Sequence, residues 1–226
     1  MRYTLRRSVK AKHLRFQISA SNGFVVVAPR HYHLDDLPQM LRTKRSWILK
    51  NITRCNTHPI PFHSDNIGTG DNIPYLGQQY QVCLNSNYHS KCNVRLEDNA
   101  FLIEGECAND AAAALKQWLN GQAHAYIKQR TSELAASLGV SYNRIFIRSQ
   151  RTRWGSCSSM GNISLNWKLI MFPPRIIDYV IIHELAHLRV MGHGKAFWDV
   201  VAAHCPDWRA CRQWMREHEG YLSIGL

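Results

Sequence analysis

Alternating apolar and polar positions dominate the first hundred residues. Leu14, Phe16 and Ile18 alternate with Arg15 and Gln17, the period of a strand with one wet face. Residues 3–7 form an earlier strand. Phe24-Val25-Val26-Val27, after a Ser21-Asn22-Gly23 turn, is a β-branched run ended by Pro29. The period then becomes helical. Leu37, Met40, Leu41, Trp47, Ile48 and Ile52 make one stripe, Asp35 or Asp36 stands where a cap belongs, and Arg42, Lys44, Arg45 and Lys50 cover the other face. Residues 54–72, with Pro59, Pro61, Gly68 and Gly70, read as a loop whose His58 and His63 are surface histidines. Residues 73–84 and 92–104 return to strand character, with turn signals at Asn85-Ser86-Asn87 and Glu97-Asp98-Asn99.

Past residue 107 the pattern changes. Asn109 or Asp110 caps a long helix whose apolar side runs through Leu115, Trp118, Leu119, Tyr126, Ile127, Leu134 and Leu138, and Gly139 ends it. Residues 142–148 form a strand, and Ile163, Leu165 and Trp167 alternate with Ser164 and Asn166 in another. Pro173-Pro174 stops that strand and opens a helix from about 175 to 190, since proline is tolerated in a first helical turn. This helix is apolar almost all round, so it is a buried one. Two short helices follow, one with Phe197, Trp198, Val200 and Val201, the other with Trp208, Trp214 and Met215, packed as lids. The pattern predicts an α+β chain in two parts: 1–106, β-rich and basic, and 107–226, helical around a small sheet.

The 226 residues are 45% hydrophobic and 19% charged, which suits a folded core and excludes wholesale disorder. The net charge of +12 favours anionic partners, a nucleotide or nucleic acid. Arg6, Arg7, Lys10, Lys12 and Arg15 concentrate it on the first sheet, either as a solvated face or as a polyanion contact. No export signal and no long apolar run stands in the chain, so the sequence predicts a cytoplasmic protein without a membrane span. The seven cysteines are Cys55, Cys83, Cys92, Cys107, Cys157, Cys205 and Cys211. They are odd in number and without C-x-x-C spacing, and they read as reduced thiols. Cys83 and Cys92 are the pair that would meet across a hairpin.

The buried helix carries His183-Glu184-Leu185-Ala186-His187, with a third histidine, His193, six residues on. At 3.6 residues per turn, His183 and His187 share a face and can grip one Zn²⁺. Glu184 lies beside them, placed to act as general base without being a ligand. Three protein ligands leave a position open for water, the mark of a catalytic site. Polar side chains on a buried helix would cost a few kcal/mol each if left unpaired, and one zinc ion per chain resolves that cost. Glycines on both sides of His193 suit a tight return. Glu217, Glu219 and His204 are the alternative third ligands. Val190 stands where the metzincin spacing needs a glycine, so that group does not fit. Cys157 as a nucleophile is disfavoured because its partner histidine belongs to the metal.

Further residues carry a family likeness. Arg153-Trp154-Gly155-Ser156-Cys157-Ser158, Gly161-Asn162-Ile163-Ser164-Leu165-Asn166-Trp167, the run from Ile177 through His187, then His193 and Phe197-Trp198, resemble the YgjP-like metal-dependent hydrolases, relatives of the SprT-type and WLM zinc metallopeptidases. Tyr3-Thr4-Leu5-Arg6-Arg7-Ser8 and Val25-Val26-Val27-Ala28-Pro29-Arg30 resemble that family's N-terminal part. Two departures from its pattern stand out: Gly192 and Gly194 replace the usual Asn and Ser around His193, and Arg151 replaces a Lys. The resemblance implies a minigluzincin-like core, and a strand near 163–166 along the cleft whose free edge pairs with an extended peptide. The readings that follow are a zinc metallopeptidase acting on peptide or protein, with Arg153, Trp154 and Asn166 as substrate contacts; a UTP pyrophosphatase at the same metal, with Arg148, Arg151 and Arg153 on the phosphates; and a nucleic-acid-binding protein with a structural zinc.

Overall fold

The structure, a computed structural model, describes residues 3–19, 23–57, 67–85 and 92–223. His58, His63 and the central residues of the turns at 20–22 and 86–87 lie outside them. The chain divides into two packed units, Met1–Ile60 and Pro61–Leu226.

In the first unit, β1 (Thr4–Ser8), β2 (Arg15–Ser19) and β3 (Gly23–Pro29) form a sheet in the order β1-β3-β2. β3 is central, parallel to β1 and antiparallel to β2, which is why it is the near-continuous apolar run and the arginines fall on the edges. Phe24, Val26, Leu37 and Ile48 make the core, with Phe16 against Phe24 at 5.8 Å. The expected single helix is two, α1 (Leu37–Thr43) and α2 (Arg45–Thr57). Lys44 between them has ψ of 7°, which interrupts the helical path for one residue. Asp35 and Asp36 sit in a one-turn 3₁₀ segment, and neither expected cap forms: no side-chain capping bond is made at the start of α1.

The second unit opens with β4 (Asn72–Tyr75), β5 (Gln78–Asn85), β6 (Asn93–Glu97) and β7 (Ala100–Glu104), in the order β4-β5-β7-β6. α3 (Ala111–Leu138) starts on Asp110, whose carboxylate accepts from the Ala113 N–H, and ends at Gly139 with φ +62°. Trp118 of α3 meets Phe101 at 5.1 Å and Tyr75 at 5.3 Å, so the helix packs on the sheet that precedes it. The composition change near residue 107 therefore marks the passage from sheet to helix, while the packing division falls earlier, at 60/61.

Two of the cysteines expected to be reduced are joined: Cys92 and Cys107 form a disulfide, and Cys83 is free. The reason is strand order. β7 lies between β5 and β6, so Cys83 and the start of β6 are not neighbours, and the turn after β7 returns to that start.

A third sheet holds β8 (Arg144–Arg148), β9 (Gly155–Cys157) and β10 (Asn162–Asn166) in the order β8-β10-β9. β10 is central, paired on one side to β8 and on the other to β9. The strand expected to offer a free edge is thus covered on both sides, and β9 holds the edge instead. Next come α4 (Pro174–Ala186), α5 (Lys195–His204) and α6 (Trp208–Glu217). Pro174 occupies the first turn of α4 as expected. Arg130 of α3 grips Asp178 of α4 through two bonds, 2.7 and 2.9 Å. Gly77 lies so close to Pro173 that a Cβ there would stand 2.7 Å from its Cα, and its φ of +81° also excludes most side chains. Among the described residues no helix is long and apolar enough to cross a membrane.

Candidate metal centre

α4 is buried along most of its length: Ile176, Ile177, Val180, Ile181, Ile182 and Leu185 are in the core. It closes at Ala186, earlier than the periodicity suggested, and His187 is its cap. A turn then carries the chain round, with the Arg189 and Val190 N–H groups both donating to the Ala186 carbonyl. Gly192 and Gly194 are not what permits it: neither has a positive φ, and a Cβ at either would meet open space. The helix end and this turn bring the three histidines together.

The ligand atoms of His183, His187 and His193 lie within 4.8 Å of one another. His183 Nε2 and His193 Nε2 are 3.2 Å apart. The His187 Nδ1 lies 3.2 Å from the Val190 carbonyl oxygen; a proton on Nδ1 donated there leaves Nε2 as the free donor atom. Phe197 of α5 stacks on His187 at 4.5 Å and meets His183 edge-on at 4.9 Å. Trp198 lies 5.9 Å from His183 and 6.1 Å from His193. This aromatic wall helps to desolvate His183 and His187. Burial pushes His183 down to about 4, and the neighbouring histidines and Arg212 add to it; burial also lowers His187. Imidazoles converging with open nitrogens are a donor set that fits a divalent zinc ion, and three of them leave room for a further ligand.

Glu184 is 6% exposed, and burial raises its carboxyl to about 8, with Arg153 pulling the other way. Its neighbour is Gly155 in β9. A Cβ on Gly155 would stand 2.5 Å from Glu184 Oε1 and 2.6 Å from its Cγ, so a glycine is needed here for close approach, not for its dihedral freedom. Sequence reasoning placed Gly155 in a motif but gave it no role. Its one signal is a glycine inside a strand, which marks a place where something comes close.

The other candidate residues are placed differently. Asn166 is fully buried. Its Nδ2 donates to the carbonyls of Gln150 and Arg153, and its Oδ1 accepts from the Lys168 N–H. It fixes the 150–153 loop and does not face the cleft, because its amide is fully engaged by backbone. Trp154 packs on Phe172 at 4.6 Å, and Arg153 is exposed. Cys157 is pushed upward by burial and then by Glu184, the opposite of what a thiolate nucleophile needs. His204 and Glu217 are not part of the histidine cluster, and His218 stacks on Trp214 at 3.7 Å. Beside His187 a cleft of about 560 Å³ runs past Ser158, Met160 and Met191.

Three imidazoles that could hold a metal ion and a buried carboxylate thus stand together, set on and just after one helix. The model of the YgjP-like family's metallopeptidase domain matches residues 12–218, and the chain belongs to that family. Among solved structures, the metallopeptidase zymogen abylysin of Pyrococcus abyssi is 22% identical, with a TM-score of 0.37, over 40% of this chain and 93% of that one. The zymogen jannalysin of Methanocaldococcus jannaschii is 22% identical, with a TM-score of 0.36, over 40% of this chain and 96% of that one. No curated protein matches the chain.

Proposed function

We propose that the chain is a zinc-dependent peptidase in which His183, His187 and His193 hold one zinc ion and Glu184 is the general base. The observation that carries this reading is the convergence of three imidazoles, two of them desolvated, beside a carboxylate buried against Gly155. Zinc supplies acidity to a water and polarises a carbonyl oxygen. Glu184 takes the proton of the attacking water on a carboxylate oxygen and returns it to the leaving amine; burial raises its carboxyl above the ordinary range, and the charge of a bound zinc ion would draw it back toward the carboxylate form. Phe197 and Trp198 keep bulk water from the histidines. β9, at the sheet edge beside Glu184, takes an extended peptide as an added strand. Arg153, exposed just before that strand, offers a guanidinium to a substrate carbonyl, with Trp154 as its packed support.

The test compares the zinc-loaded protein with its Glu184→Gln variant on a peptide library and on UTP. Peptide cleavage that falls by about 10²–10⁴ in the variant, with zinc content unchanged, is the expected result. Hydrolysis of UTP but of no peptide would place the metal in nucleotide chemistry and end the peptidase reading. Equal peptide cleavage by both forms would remove Glu184 from the reaction.

A further inference from the structure

Cys205, Asp207 and Cys211 meet where α5 hands over to α6. Cys205 caps the end of α5, Asp207 precedes α6, and Cys211 stands one turn inside it. Cys205 Sγ lies 3.4 Å from Asp207 Oδ1, and Cys211 Sγ lies 3.8 Å from Asp207 Oδ2. The three donor atoms are all within 4.8 Å of one another. Both cysteines are buried, at 8% and 0% exposure, while the carboxylate reaches solvent.

Two features separate this cluster from a chance meeting of core thiols. The first is the orientation of Asp207. An aspartate at a helix N-cap ordinarily accepts from the N–H groups of the first turn. Asp207 occupies the N-cap of α6 yet makes no such side-chain bond, and its two oxygens face the two sulfurs. The second is charge. Two thiolates and a carboxylate carry three negative charges. A divalent cation offsets two, and Arg175, whose Nη1 is 3.6 Å from Asp207 Oδ2, offsets the third. The filled site would be neutral, which its burial demands.

We propose that Cys205, Asp207 and Cys211 form a second metal site, separate from the histidine cluster, for a thiophilic divalent cation such as zinc or cadmium. Sulfur donors select such ions over magnesium or calcium. On binding, each thiol loses its proton to solvent and each sulfur becomes a ligand; no oxidation is involved. The exposed side of Asp207 leaves a position for water, so the ion can enter and leave. The site fastens the junction of α5 and α6. Trp208 within that junction stacks on Trp198 at 4.1 Å, and Trp198 walls the histidine cluster. Filling the second site would therefore stiffen the wall of the first.

The experiment titrates the metal-free full chain with cadmium, without reductant so that Cys92–Cys107 stays joined, and follows the ultraviolet thiolate-to-cadmium charge-transfer band. The band should appear in the wild type and in Cys157→Ser. It should vanish in the double variant Cys205→Ser, Cys211→Ser, together with one equivalent of bound cadmium. Asp207→Asn keeps both thiols and the core volume, so it decides the matter if the double variant does not fold: its affinity at this site should fall at least tenfold with the helical circular dichroism unchanged. A band that persists in the double variant overturns the proposal. So does an Asp207→Asn protein that binds as tightly as the wild type, or untreated protein in which Cys205 and Cys211 are joined to each other.

Discussion

Gly155 and Glu184 share a space that admits one side chain. Alanine at 155 would drive its methyl into the carboxylate and move it, since the glycine is held in the ladder with Leu165 and cannot retreat. A displacement of about 1 Å at a reacting group can cost about 10²-fold in rate. With Glu184 as the proposed base, Gly155→Ala should lose peptidase kcat by that order while keeping its bound metal, as measured by kinetics beside metal analysis. The spacing of His183, Glu184 and His187 was legible because helical geometry turns sequence spacing directly into proximity, whereas His193 is brought in by the turn after α4. Gly155 was not, because its role depends on a strand and a helix meeting, and that contact leaves no periodic trace. Asn166 shows the converse: a polar residue in a recognisable motif suggested substrate contact, yet its amide ties together the loop behind the cleft.

Among the helices and strands, the polar fastening of α4 lies at Asp178. Arg130 holds it in a two-pronged pair that is only partly screened from solvent, with side chains 35% and 24% exposed. Such a pair contributes about 1 kcal/mol. Asp178→Asn should therefore lower the urea-unfolding free energy by about 1 kcal/mol and leave zinc affinity unchanged. The Cys92–Cys107 bond closes a loop with a sequence separation of 15, which by chain entropy stabilises by about 3 kcal/mol. Cys107→Ser should show a loss of that order by denaturant titration, and thiol counting should find the pair absent from the free thiols of the untreated wild type. The existence of nearly every strand and helix could be read from period alone, because one-sided burial writes itself into alternation. Pairing could not. Which strand is central in β8-β10-β9, and which cysteines meet, depend on connections between segments that look alike in isolation.

For the protein as a whole, one pH-dependent contribution to stability comes from a buried lysine. Lys168 is 4% exposed; burial, then Lys116 and Arg151, lower its ammonium from the ordinary 10.5 to about 8. Between those values this residue binds more protons in the unfolded chain than in the folded one, so its contribution to stability rises with pH over about 8 to 10.5, and its full penalty stands below 8. The difference in unfolding free energy between wild type and Lys168→Met should shift in favour of the wild type across that window; a flat difference would refute the assignment. The division at 60/61 was not legible, because the composition shift near 107 is the louder signal although it separates a sheet from the helix packed on it.

The turn at Leu76-Gly77 bears on how the protein reaches this state. The Leu76 N–H donates to the Ile170 carbonyl at 2.8 Å and the Gly77 N–H to the Met171 carbonyl at 3.3 Å, just ahead of α4. These partners are far apart in sequence, so the entry to α4 is pinned only after a long loop has closed. A fragment begun at residue 107 would lack Leu76 and Gly77, whose N–H groups hold the segment just ahead of α4.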